Sequence, residues 1–97
     1  MLHTLNKSPF LFRNLESCLR LAQKGDPILF YEDGVYSVMP GTEIEAFIVK
    51  MLKEHPVYVV QADIKARGIT ELLPGVHIID YSGFVDLAEQ HNVCPWL

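Results

Sequence analysis

The twelve residues Val57–Gly68, "VYVVQADIKARG", decide the fold class. Val57–Val60 is a continuous apolar, largely β-branched run, the kind that forms a strand covered on both faces. Asp63 is placed to cap a short helix over "IKAR", and Gly68 supplies its stop. A strand passing almost directly into a helix is the start of a crossover unit, and crossovers join parallel strands.

Working outward, the unit repeats. Upstream, "ILFY" (Ile28–Tyr31) is a second apolar run, turned by Glu32, Asp33 and Gly34. After the irregular "VYSVMPG", Thr42 and Glu45 form a T-x-x-E capping box. Ile44, Phe47, Ile48, Met51 and Leu52 then recur at helical spacing until His55 and Pro56. Further upstream, Leu15, Cys18, Leu19 and Ala22 line one face of a helix. Asn14 is its expected N-cap, Arg20 and Lys24 suit its last turn, and Gly25 ends it. "MLHTL" opens the chain as a short strand. Downstream, Pro74-Gly75 turns into a third buried strand, "VHIID". Tyr81, Phe84, Val85 and Ala88 mark a last helix capped by Ser82, and "HNVCPWL" reads as a loosely ordered tail.

The whole, residues 1–97, is expected to be one domain of the α/β class: a small three-layer α/β/α domain with a mainly parallel sheet. "VYVV" and "VHII" are placed in the sheet interior. In such sheets sites gather beyond the carboxyl ends of the strands, here "NKSPF", "YEDGV", "QAD" and "DYSG".

Composition narrows the function. With 49% hydrophobic residues in 97, the chain has more apolar surface than one small interior readily takes, which favours association with another subunit. A net charge of −4 with no basic stripe argues against direct nucleic-acid binding. The apolar blocks are strand-sized and no basic leader precedes them, so a cytoplasmic protein without a membrane segment is expected. In that reducing setting Cys18 and Cys94 are expected as free thiols, with nothing bringing them together.

Familiar machinery is missing: there is no G-x-G-x-x-G, G-x-x-x-x-G-K-[ST] or G-x-S-x-G. His91 and Cys94 could supply two zinc ligands where a structural site needs four, so neither a metal nor a cofactor is assigned. Asp33, Asp63 and Asp80 each follow a strand. They could gather at one edge, or each could simply turn the chain or cap a helix. His3 and His77 lie in strands, where a hydrogen-bonded structural histidine is commoner than a catalytic one, and neither is assigned a role. Trp96 must fill a pocket of its own domain, dock on a partner or stay exposed. Cys18 carries two readings: a quiet core thiol between Leu15 and Leu19, or a nucleophile at a helix that begins at the functional edge.

"LHTLNKSPF", "LESCLRLA", "FYEDGVY", "DIKARG", "IIDYSGFVDL" and the terminal "PWL", in this order along essentially the whole chain, resemble the DsrH/TusB family, closest to its DsrH branch. The resemblance implies a DsrE/DsrF/DsrH-like fold and a subunit of a sulfur-relay complex with two sister subunits of the same fold. That complex passes persulfide sulfur toward tRNA 2-thiouridine or serves dissimilatory sulfur oxidation, with a small sulfur-carrier protein as recipient. It also implies that the main sulfur-accepting cysteine lies on a sister subunit. Cys18 matches a first-helix cysteine often carried by DsrH-like chains, and is the one residue nominated as a sulfur acceptor. Two other roles remain open: a noncatalytic structural subunit, and a homo-oligomeric small-ligand binding module of the same fold.

Overall fold

The computed structural model describes residues 1–97. Strands β1 (Leu2–Leu5), β2 (Ile28–Phe30), β3 (Val57–Val60), β4 (His77–Ile79) and β5 (Val93–Trp96) form a single sheet in the order β4-β3-β2-β1-β5. All four pairings are parallel. Helices α1 (Asn14–Leu21), α2 (Glu45–Leu52), α3 (Gln61–Ala66) and α4 (Tyr81–Gln90) connect them, and a 3₁₀ helix (Glu32–Val38) precedes α2.

The strand order dictates the layers. Each step from β1 through β4 moves one place in the same direction, so right-handed crossovers lay α1, α2 and α3 on one face. The connection from β4 returns across the sheet to β5 beside β1, which puts α4 on the other face. The core divides accordingly. Leu5, Ile28, Phe30, Val57 and Val59 pack under α1–α3 with Leu15, Cys18, Ile48, Met51 and Ile64. On the opposite face Leu2, Leu29 and Val60 meet Phe84 and Leu87 of α4. The alternation is the period of two that a pleated strand imposes.

Several expectations change. "VYVV" lies inside the sheet, but β4 is an edge strand, with Ile78 54% exposed. The return crossover leaves nothing to pair beyond it. The tail is not loose: Val93–Trp96 pairs in parallel with Leu2–Leu5. Pro95 hid this strand because it removes a backbone donor, a loss that an edge strand tolerates.

The helix ends also differ. Arg13, not Asn14, precedes α1, and Gly25 takes its positive φ of 92° in a later turn, after Ala22 has ended the helix. Lys24 accordingly lies outside α1. Thr42 and Glu45 do not close a capping box. The helix starts at Glu45, whose carboxylate reaches back to the Gly41 N–H at 2.7 Å, and the Thr42 hydroxyl finds no partner. Asp63 sits inside the first turn of α3. Asp80, not Ser82, caps α4, accepting from the Gly83 N–H at 2.8 Å. No helix is long and apolar enough to cross a membrane.

Candidate functional site

Cys18 is fully buried where α1 lies over β1. Burial among aliphatic side chains pushes its thiol up to about 12, and the neighbouring Cys94 and Asp26 add to the rise, since each would repel a thiolate. Cys94 is nearby because of the β1–β5 ladder, which pairs His3 with Cys94 and Leu5 with Trp96. By strand alternation all four point to the α1 side. Both cysteines are free thiols.

A polar chain runs beside them. The indole N–H of Trp96 can only donate, so at 3.2 Å the His3 Nδ1 is an acceptor. His3 therefore carries its proton on Nε2 and donates it to Asp26 Oδ2 at 3.0 Å. Both ring nitrogens are engaged, so His3 is not poised as a base for Cys18. Asp26 collects further partners: its carboxylate accepts from the Gln23 N–H at 3.0 Å, and its backbone carbonyl from His55 Nδ1 at 2.9 Å. Burial alone would raise this carboxyl. The bonds from His3 and Gln23, with the charge of the nearby terminal ammonium, outweigh it and hold Asp26 at about 2. Asn14, freed from capping, donates through Nδ2 to the Trp96 carbonyl at 3.3 Å.

Trp96 thus turns into its own domain. The sequence reading missed Asp26 as the hub, because an Asp-Pro pair beside a glycine looks like any turn. Its partners come from distant segments that no local pattern connects.

At the carboxyl edge Arg67 gathers two of the three aspartates. Its Nε and Nη2 donate to Asp33 Oδ1 at 3.0 and 2.9 Å. Nη1 donates to the Asp63 carbonyl at 3.3 Å and stands 3.6 Å from the carboxylate. An arginine between them makes this an ion-pair bracket rather than a catalytic acid–base pair. Asp80 stays apart as the α4 cap. His77, exposed on the edge strand, lies beside Tyr58 with ring centroids 5.3 Å apart and planes tilted at 33°. His91 and Cys94 belong to no cluster of three or more metal-ligating side chains. The loop after β1 and the start of α2 enclose a groove of about 710 Å³ lined by Phe10, Phe12, Leu15 and Phe47, with Arg13 and Arg20.

Known proteins match this architecture. The ychN protein from E. coli superposes with a TM-score of 0.82 at 18% identity, covering 97% of this chain and 96% of its own. A protein of unknown function from Methanobacterium thermoautotrophicum gives 0.74 at 16% identity, covering 97% and 95%. These likenesses establish the fold. Sequence relatives are nearer: Protein TusB of Pectobacterium parmentieri is 38% identical over 94% of both chains. Protein TusB of Escherichia coli K12 is 36% identical, again over 94% of both. The family model described as "DsrH like protein" matches residues 7–94. With that match spanning nearly every element of the sheet and its helices, the chain belongs to the DsrH-like family.

Proposed function

We propose that this chain is a subunit of a cytoplasmic sulfur-relay complex that serves thiouridine formation in tRNA, working with two sister subunits of the same fold and a small sulfur-carrier protein. The observation that carries this reading is the similarity to Protein TusB along almost the full length of both chains. In the relay step a thiolate attacks the outer sulfur of a donor persulfide. The donor S–S bond breaks, a new S–S bond forms on the acceptor, and the donor leaves as its thiolate. In this chain the acceptor is Cys18, and the step requires that assembly open the contact between α1 and β1, because a thiol held at about 12 supplies almost no thiolate near neutrality.

That burial supports a second reading, in which the subunit shapes the complex and its carrier-docking surface while sulfur travels on a sister subunit. Co-expression with both sister subunits and the carrier, followed by native and intact-mass measurement after a persulfide donor, tests both. Co-assembly is the expected result, and a chain that ignores the sister subunits overturns the relay reading. A reductant-sensitive gain of one sulfur atom on this chain, abolished by Cys18→Ala, establishes the acceptor. Transfer that survives Cys18→Ala leaves the architectural role.

A further inference from the structure

β3 and β4 are neighbours, yet β3 leads into α3 on one face of the sheet and β4 into α4 on the other. Where adjacent connections part in this way, open parallel sheets leave a crevice at the carboxyl edge, and that crevice is their usual ligand position. Here it holds a cavity of about 410 Å³ lined by Tyr31, Glu32, Val60, Asp63, Tyr81 and Phe84. The volume suits a small molecule or one side chain.

Three aromatic rings wall this cavity. Tyr31 meets Phe84 edge-on, with centroids 6.2 Å apart and planes at 82°. Tyr81 lies nearly parallel to Phe84 at 6.1 Å and 14°. Tyr81 is 78% exposed, so a large aromatic face is held at the surface. Neither lysine nor arginine of this chain occupies these rings: the cation–ring contacts are Lys7 with Phe12 and Arg67 with Tyr36.

The charge is negative. Asp33 and Asp63 share the single guanidinium of Arg67, and the Glu32 carboxylate has no ion-pair partner. Glu32 is also the only non-glycine residue in the left-handed region, at φ 48°. Uncompensated carboxylate repels phosphates and other anions. Aromatic faces, in turn, suit a diffuse organic cation better than a hard metal ion that needs a shell of oxygen ligands.

We infer that the cavity between Tyr31, Tyr81, Phe84 and Glu32 binds an alkylammonium head group, cradled by the ring faces and neutralised by the carboxylate. This inference is independent of the sulfur-relay role.

The test is a titration of the full chain, followed by ¹H–¹⁵N correlation spectra, with choline, with N-acetyl-lysine methylamide and with the uncharged carbon isostere of choline. At least one of the two cations is expected to shift the amides around Glu32 and Tyr81, and the isostere to bind about threefold more weakly or worse. Tyr81→Leu, which keeps apolar bulk but removes the ring face, should lower affinity about threefold or more. Glu32→Gln should weaken binding and flatten its salt dependence. Both positions are exposed, and unchanged spectral dispersion verifies folding. Binding of choline alone identifies a free quaternary ligand, and binding of the lysine amide alone a partner's side chain; either supports the site. The inference is overturned if neither cation perturbs these amides, if the isostere binds as tightly as the cation that does, or if both variants bind as the parent does.

Discussion

At the residue scale, Cys18 and Asp26 show opposite effects of a shared environment. Burial disfavours charge on both, but Asp26 has hydrogen bonds aimed at its carboxylate and Cys18 has none. Alkylating reagents should therefore modify Cys94 in the free chain well before Cys18, as read by peptide mass mapping; equal rates would mean that α1 lifts from β1 readily. The signs of the pH effects follow. The Asp26 carboxyl is lowered from 3.8 to about 2 on folding, so its contribution is complete above about 4 and is lost as pH falls toward 2. The Cys18 thiol is raised from 9.0 to about 12, so stability erodes as pH climbs from about 9 toward 12. Denaturant midpoints across both ranges check this, and Asp26→Asn should flatten the acid limb. It should also cost about 1–3 kcal/mol near neutrality, since His3 loses a charged acceptor.

At the element scale, β5 is held by its ladder to β1 and by the Trp96–His3 bond. Trp96→Phe keeps a ring in place but removes the donor, and should cost about 1 kcal/mol in equilibrium unfolding because His3 Nδ1 is left unpaired. Gly34 is a second point of close approach: a Cβ there would overlap the Leu5 carbonyl oxygen, so the 3₁₀ helix lies on the end of β1 in a way only glycine permits. Gly34→Ala should destabilise by about 1–3 kcal/mol, with a lowered melting temperature as the readout. The helices, β2 and β3 were legible in the sequence because apolar spacing and β-branched runs are local signals. The edge strand β5 was not, since Pro95 speaks against a strand and its only partner is the first strand of the chain. Cap residues were misassigned for a related reason. Asn14 and Thr42 have the chemistry of caps, but tertiary contacts at Trp96 and the reach of Glu45 to Gly41 settled which groups met. Of the candidate site, the exposed loops were foreseeable; the Asp26 hub, assembled from distant segments, was not.

At the scale of the whole molecule, the two faces are unequal. Three α-helices cover one, while the other has α4 alone, none of whose residues is fully buried. Apolar surface remains outside: Leu11 is 78% exposed beside half-exposed Phe10 and Phe12, and Phe47 faces the same groove. With Trp96 turned inward, the exposed apolar surface on which the association expected from composition can be tested is this groove. Leu11→Ser combined with Phe47→Ser should leave the circular dichroism of the free chain unchanged yet weaken co-assembly with the sister subunits by more than about 1 kcal/mol; an unchanged complex would move the interface to α4. The β1–β5 pairing also has a temporal side. The partners Trp96 and His3 stand 93 positions apart, so β1 is synthesised long before the strand that covers its far edge. Until β5 is made and has left the ribosome, that edge of β1 is unpaired, open to other nascent strands and to chaperones that bind such edges. Val93–Trp96 thus act as a latch: a free chain cut back to Asn92 would keep the segments of every helix and of four strands, yet should stay protease-sensitive along β1.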